Sequence, residues 1–136
     1  MLFRSIALRG LAAKNRFVNA ATYEAMATEA GEVTDGLVER YRRLARGEVG
    51  MIISGNVYVD PLGRNARHQL GIHSDDMIPG LKRLTEAVHR AGGKVALQLT
   101  HAGRQTTPAL IGQMPLGPSS RGRDPVNLIK PRRMNE

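Results

Sequence analysis

Two stretches of the chain repeat apolar residues at helical spacing. In the first, Leu37, Val38, Tyr41, Leu44 and Ala45 fall at i, i+1, i+4, i+7 and i+8, one helical face. Thr34 before them is a good N-cap, and Asp35 suits the positive end of the helix dipole. Arg40, Arg42, Arg43 and Arg46 lie largely on the other faces, and Gly47 suits a left-handed C-terminal position. In the second, Met77, Leu81, Leu84, Val88 and Ala91 form the stripe, and Gly92-Gly93 ends it. Its start is predicted near Ser74, ahead of Asp75 and Asp76, or at Pro79, which favours a first helical turn. Each helix precedes a short continuous apolar run, residues 49–53 and 95–99, and a weaker run, 17–21, comes before the first helix. Unbroken hydrophobicity suggests parallel strands covered on both faces. The order strand, helix, strand, helix, strand predicts two linked βαβ units with right-handed crossovers.

Outside this core the pattern changes. Residues 6–8 and 11–13, split by Arg9-Gly10, predict a small hairpin within residues 1–15, ahead of the strand–helix region at 16–105. Residues 106–136 contain five of the seven prolines and no periodic segment. They are either a long functional loop or a stretch whose supporting structure lies beyond the chain.

The length, 136 residues, allows one domain. With no cysteine there is no disulfide framework, thiol nucleophile or cysteine-ligated zinc. No apolar run approaches the roughly 18 residues of a membrane helix. Residues 1–23 hold Arg4, Arg9, Lys14 and Arg16 and no acid, a composition shared with transit peptides. The expectation is nevertheless a folded start to a cytoplasmic domain.

Familiar chemical motifs are absent. No glycine-rich phosphate fingerprint occurs, His68, His73, His89 and His101 lack metal-ligand spacing, and Ser119-Ser120 lacks the setting of a nucleophile. Attention therefore falls on the C-terminal strand ends, where parallel α/β folds bind ligands. There lie Ala21-Thr22-Tyr23, Ser54-Gly55-Asn56 and the run Gln98 to Arg104. Gln98 is a polar amide inside an apolar run. Its two donors and one acceptor complement a pyrimidine-like edge, or else bond a neighbouring strand. His101 and Arg104 are candidates of the same kind, or parts of a helix-entry loop.

These segments carry a resemblance. Leu11 to Val18, Gly47 to Ile53, Gly71 to Asp76, Ala87 to Gly93 and above all Gln98-Leu99-Thr100-His101-Ala102-Gly103-Arg104 occur in the order and spacing of the Old Yellow Enzyme family. The resemblance covers essentially the whole chain. It implies the N-terminal portion of a (β/α)₈ TIM barrel, about three strands and two to three helices. It implies FMN as cofactor, NADH or NADPH as reductant, and a small enone-type substrate. The family's flavin contacts fall on Ala21, Thr22, Tyr23 and Asn56, and its pyrimidine-edge glutamine falls on Gln98. His101 and Arg104 match the motif without an assigned role. Two departures stand out: Ala21 occupies a position where many members have Pro, and Tyr23 one where they have a flavin-tuning Thr or Cys. A barrel of this type runs to about 250 residues. The family's substrate-anion pair, proton-donor Tyr and phosphate loops lie beyond Glu136, so the resemblance assigns no catalytic residue within these residues; the histidine spacing predicts no metal.

The leading expectation is a fragment of an FMN oxidoreductase that reduces α,β-unsaturated carbonyls and lacks that activity alone. A second reading is half of a split barrel, completed by another chain or another copy through its open strand edges. A third is a small nucleic-acid binder, prompted by the formal charge of +8. Dispersed basic residues and the lack of a stacking-aromatic pattern oppose it, as no nucleic-acid module is recognisable.

Overall fold

The computed structural model describes residues 1–135. The chain opens with an antiparallel hairpin, β1 (Ile6–Leu8) and β2 (Leu11–Ala13). Its two-residue turn places Arg9 at φ 24° and Gly10 at φ 85°, positive values that match the twist of tight hairpins. A three-stranded parallel sheet follows in the order β3 (Val18–Asn19), β4 (Met51–Tyr58), β5 (Val95–Thr100). Helix α1 (Asp35–Arg46) connects β3 to β4, and α2 (Ile78–Arg90) connects β4 to β5. This is the βαβαβ order expected.

The helix stripes face inward. Leu37, Tyr41 and Ala45 of α1 and Leu81, Leu84 and Val88 of α2 are buried in one core with Ile52 and Val57 of β4. Val95 and Leu97 of β5 pack against the same core. Thr34 caps α1, its hydroxyl accepting the Leu37 N–H at 3.2 Å. The two possible starts of the second helix resolve into both: Asp75–Met77 form a 3₁₀ turn and the α-helix begins at Ile78.

Several boundaries differ from expectation. Gly47 is not left-handed; its φ is −71°, and Glu48 takes φ 62° instead. The chain reverses one residue later because Asn15 fastens the Glu48 carbonyl, donating from Nδ2 at 2.6 Å. The first strand pairs with β4 only at Val18 and Asn19, short of 17–21. The second begins later and runs five residues further than 49–53, through the polar residues Ser54, Gly55 and Asn56. Apolar patterning could not reveal that extension, since hydrogen bonds to neighbouring segments stabilise it. Nor is β5 covered on both faces throughout: Gln98 and Leu99 are exposed.

The proline-rich end folds back on the chain's own residues. It contains a single-turn helix α3 (Pro108–Ile111) and a parallel pair, β6 (Leu116–Gly117) with β7 (Arg132–Arg133). Asp124, 1% exposed, accepts the Val126 and Asn127 N–H groups at 2.9 and 3.1 Å. Asn127 donates to the Arg104 and Thr106 carbonyls at 3.1 and 2.7 Å. Side chains that satisfy backbone groups replace periodic structure here, which is why periodicity was silent. Among the described residues no helix is long and apolar enough to cross a membrane.

Candidate functional site

The site is organised by an irregularity in β4. Ile53 pairs with Ala96, but the next pair is Asn56 with Gln98, so β4 carries one extra residue. The bulge falls at Ser54-Gly55. The Ser54 hydroxyl, fully buried, stands in for the interrupted ladder. It accepts the Gln98 backbone N–H at 3.0 Å and donates to the Gly55 carbonyl at 2.8 Å. The bulge brings Asn56 and Gln98 into register side by side.

Gly55 is required by close approach. A Cβ there would lie 2.6 Å from the Thr22 carbonyl oxygen and 2.3 Å from Glu24 Oε2. Glu24 Oε1 accepts the Gly55 N–H at 3.1 Å and the Tyr41 hydroxyl at 2.5 Å. Burial, reinforced by the Glu24 carboxylate, pushes the Tyr41 phenol above its ordinary range, so it stays a donor.

A cleft of about 410 Å³ opens at these strand ends, lined by Ala21, Tyr23, Asn56, Gln98, Leu99 and Thr100. Four of the five expected site residues meet there. Thr22 does not line it; its side chain is exposed, and its hydroxyl reaches only the Ala20 carbonyl at 3.4 Å. The Gln98 residue is exposed, and its cross-strand bond to Ser54 comes from the backbone N–H. Asn56 donates from Nδ2 to Asn65 Oδ1 at 3.0 Å, while its own Oδ1 is buried without a partner. The Tyr23 hydroxyl donates to the Arg67 carbonyl, so it is tied to the loop after β4.

Gln69, 1% exposed, braces that loop. Its Nε2 donates to the Asn56 carbonyl at 3.1 Å, and its Oε1 accepts the Asn65 N–H at 2.9 Å. Sequence reasoning missed Ser54, Glu24, Tyr41 and Gln69 in this role. Ser54 gave a signal only as part of a strand-end run, and Tyr41 only as a phenol on an otherwise aliphatic helix face. His101 and Arg104 lie outside the cleft lining. His101 Nδ1 accepts the Gly103 N–H at 3.0 Å, and Arg104 Nε lies 3.6 Å from Asp124 Oδ2. Arg104 thus meets the C-terminal segment, while the His101 hydrogen bond stays within its own loop. Among the described residues no three His, Cys, Asp or Glu side chains gather as a metal site.

Comparison with known proteins identifies the family and the fold. The model of the NADH:flavin oxidoreductase / NADH oxidase family matches residues 1–131. An NADH oxidase of Thermoanaerobacter brockii is 42% identical over 120 residues, 87% of this chain and 18% of the relative. Among solved structures, the Old Yellow Enzyme homologue of Zymomonas mobilis superposes with a TM-score of 0.85 at 30% identity. That match covers 98% of this chain and 39% of the other. Morphinone reductase in complex with tetrahydroNAD gives 0.86 at 27% identity, over 98% and 40%. The chain thus spans well under half the length of each of these relatives.

Proposed function

The chain belongs to the NADH:flavin oxidoreductase / NADH oxidase family and has the fold of the N-terminal portion of a (β/α)₈ barrel, and from that premise we propose that its cleft holds one edge of the FMN ring system. The whole barrel would reduce activated alkenes such as α,β-unsaturated carbonyls at the expense of NADH or NADPH. The observation that carries this reading is the pairing of Asn56 and Gln98 across the bulge, opposite Ala21 and Tyr23.

The residues fit such a group. The cleft volume lies within the range of cofactor sites. The orphaned Asn56 Oδ1 is a buried acceptor in want of a donor. The Gln98 amide can both donate and accept, as a pyrimidine edge of alternating carbonyls and N–H demands. When bound, FMN supplies two-electron chemistry, taking hydride from a reduced nicotinamide and passing it to an electron-poor alkene. The chain's own part is to bind and orient. Gln98 and Asn56 would recognise the polar edge, with Ala21 and Tyr23 lining the same cleft. The Tyr23 hydroxyl already donates its proton to the Arg67 carbonyl. It therefore cannot tune the flavin as a Thr or Cys hydrogen-bond donor would.

A barrel also needs neighbours for the outer edges of β3 and β5. Leu99, 59% exposed, and Val18, 53% exposed, are apolar groups left uncovered there. Further strands from the same polypeptide, a complementing chain or a second copy would cover them. A cytoplasmic setting, rich in reduced nicotinamides, goes with this reading.

The test is a two-dimensional NMR titration of the isotope-labelled chain with FMN, a method suited to weak binding. Shifts should concentrate on the Gln98 and Asn56 side-chain amides and on backbone amides 21–23. An affinity near millimolar, about −4 kcal/mol, suffices for detection. Saturating shifts confined to another face would refute the proposal.

A further inference from the structure

The segment between β3 and α1 has no regular secondary structure, yet it supplies Ala21 and Tyr23 to the cleft. Glu24 is its anchor. The partners of Glu24 Oε1 are two neutral donors, the Tyr41 hydroxyl at 2.5 Å and the Gly55 N–H at 3.1 Å. The Tyr41 hydroxyl oxygen also lies 3.2 Å from the Gly55 nitrogen, closing a three-membered cluster. Tyr41 is 1% exposed, so its ring is fixed by the core of α1. Gly55 belongs to the bulge whose Ser54 hydroxyl holds the Gln98 N–H. One carboxylate oxygen thus ties together the segment bearing Ala21 and Tyr23, the first helix and the strand bearing Asn56. Through Ser54, the third strand is registered to the same point.

We infer that Glu24 is the positioning residue of the cleft: its shared oxygen locks the Ser54-Gly55 bulge and thereby sets Asn56 beside Gln98. This rests on the reading of the cleft as the flavin site. Glu24 does not line the cleft, so it acts through Gly55 and not on the ligand. What matters is the reach of its side chain and the acceptor at its end. A glutamine offers both; an aspartate keeps the charge but falls one methylene short.

The experiment compares E24Q, E24D and E24A with the wild-type chain by amide hydrogen exchange and NMR, without ligand and then with FMN. Without ligand, E24D and E24A should lose about tenfold or more protection at the Gly55 and Gln98 amides, the scale of one lost hydrogen bond. The cross-strand contact between Asn56 and Gln98 should weaken with it, while amides in the middle of α2 keep their protection. E24Q should retain wild-type values. With FMN, the same two variants should bind about tenfold more weakly, and E24Q should match the wild type. Should E24A unfold throughout, Y41F, which removes only the hydroxyl partner, is the decisive variant and should loosen Gly55 selectively. Wild-type protection at Gly55 and Gln98 in E24D or E24A would overturn the inference. So would loss in E24Q with retention in E24D, since charge and not reach would then be at work. If the wild-type chain takes up no FMN, the flavin reading fails, while the ligand-free exchange data still decide the role of Glu24.

Discussion

Replacing Ser54 with alanine tests whether the bulge is held by one side chain. Ser54 is fully buried, and its Oγ is both the acceptor of the Gln98 N–H at 3.0 Å and a donor to the Gly55 carbonyl at 2.8 Å. S54A removes one oxygen, so the cavity term is small. The cost comes from polar groups left behind. An N–H stranded at the interrupted ladder costs about 1–3 kcal/mol, and the lost donor to Gly55 adds about 0.5–1.5 kcal/mol. Against this, the variant no longer buries a hydroxyl, which returns part of the sum. The net expectation is about 1–3 kcal/mol of destabilisation. Urea unfolding followed by circular dichroism, with a slope of about 1–3 kcal/mol/M, would show it as a midpoint lowered by about 1 M. The Gln98 amide resonance should move in the same variant. Thr100 is the control: its hydroxyl meets the Val57 carbonyl at only 3.5 Å and is partly exposed, so T100A should stay within about 0.5 kcal/mol. An S54A midpoint equal to wild type, or a T100A loss as large, would refute the account of the bulge.

Other consequences are equally direct. L84A empties a fully buried position between α2 and the sheet and should cost about 2–5 kcal/mol in the same unfolding assay. Q98L should weaken FMN binding by about 1–3 kcal/mol wherever the cleft is complete, measured by flavin titration; unchanged affinity would make Gln98 a structural residue only. Because burial and Glu24 raise the Tyr41 pKa in the folded state, the native form holds that proton where the unfolded chain releases it. Stability from Tyr41 is therefore fully present below about pH 10 and falls as pH rises above it, and Y41F should flatten that part of a urea-midpoint profile. The 136-residue polypeptide produced alone should not turn over NADH or NADPH with an enone, because three strands grip one side of a flavin and leave β3 and β5 open. Stoichiometric yellow protein with steady turnover would contradict that.

The helices were legible from sequence because their apolar stripes report burial directly. Leu37, Tyr41, Ala45, Leu81, Leu84 and Val88 all face the core as their spacing requires. The strand order followed from the alternation of apolar runs and helices, and Gln98 stood out because a polar amide interrupts one such run. The family resemblance then located Ala21, Tyr23 and Asn56, which the folded chain brings to the same cleft as Gln98. What the tertiary structure alone decided is how these residues are held. Ser54 and Gln98 lie 44 positions apart, Glu24 and Gly55 31, and Asn127 and Thr106 21. Periodicity records whether a side chain meets water or core. It carries no information on which buried donor will find which acceptor, because that pairing exists only after distant segments have packed.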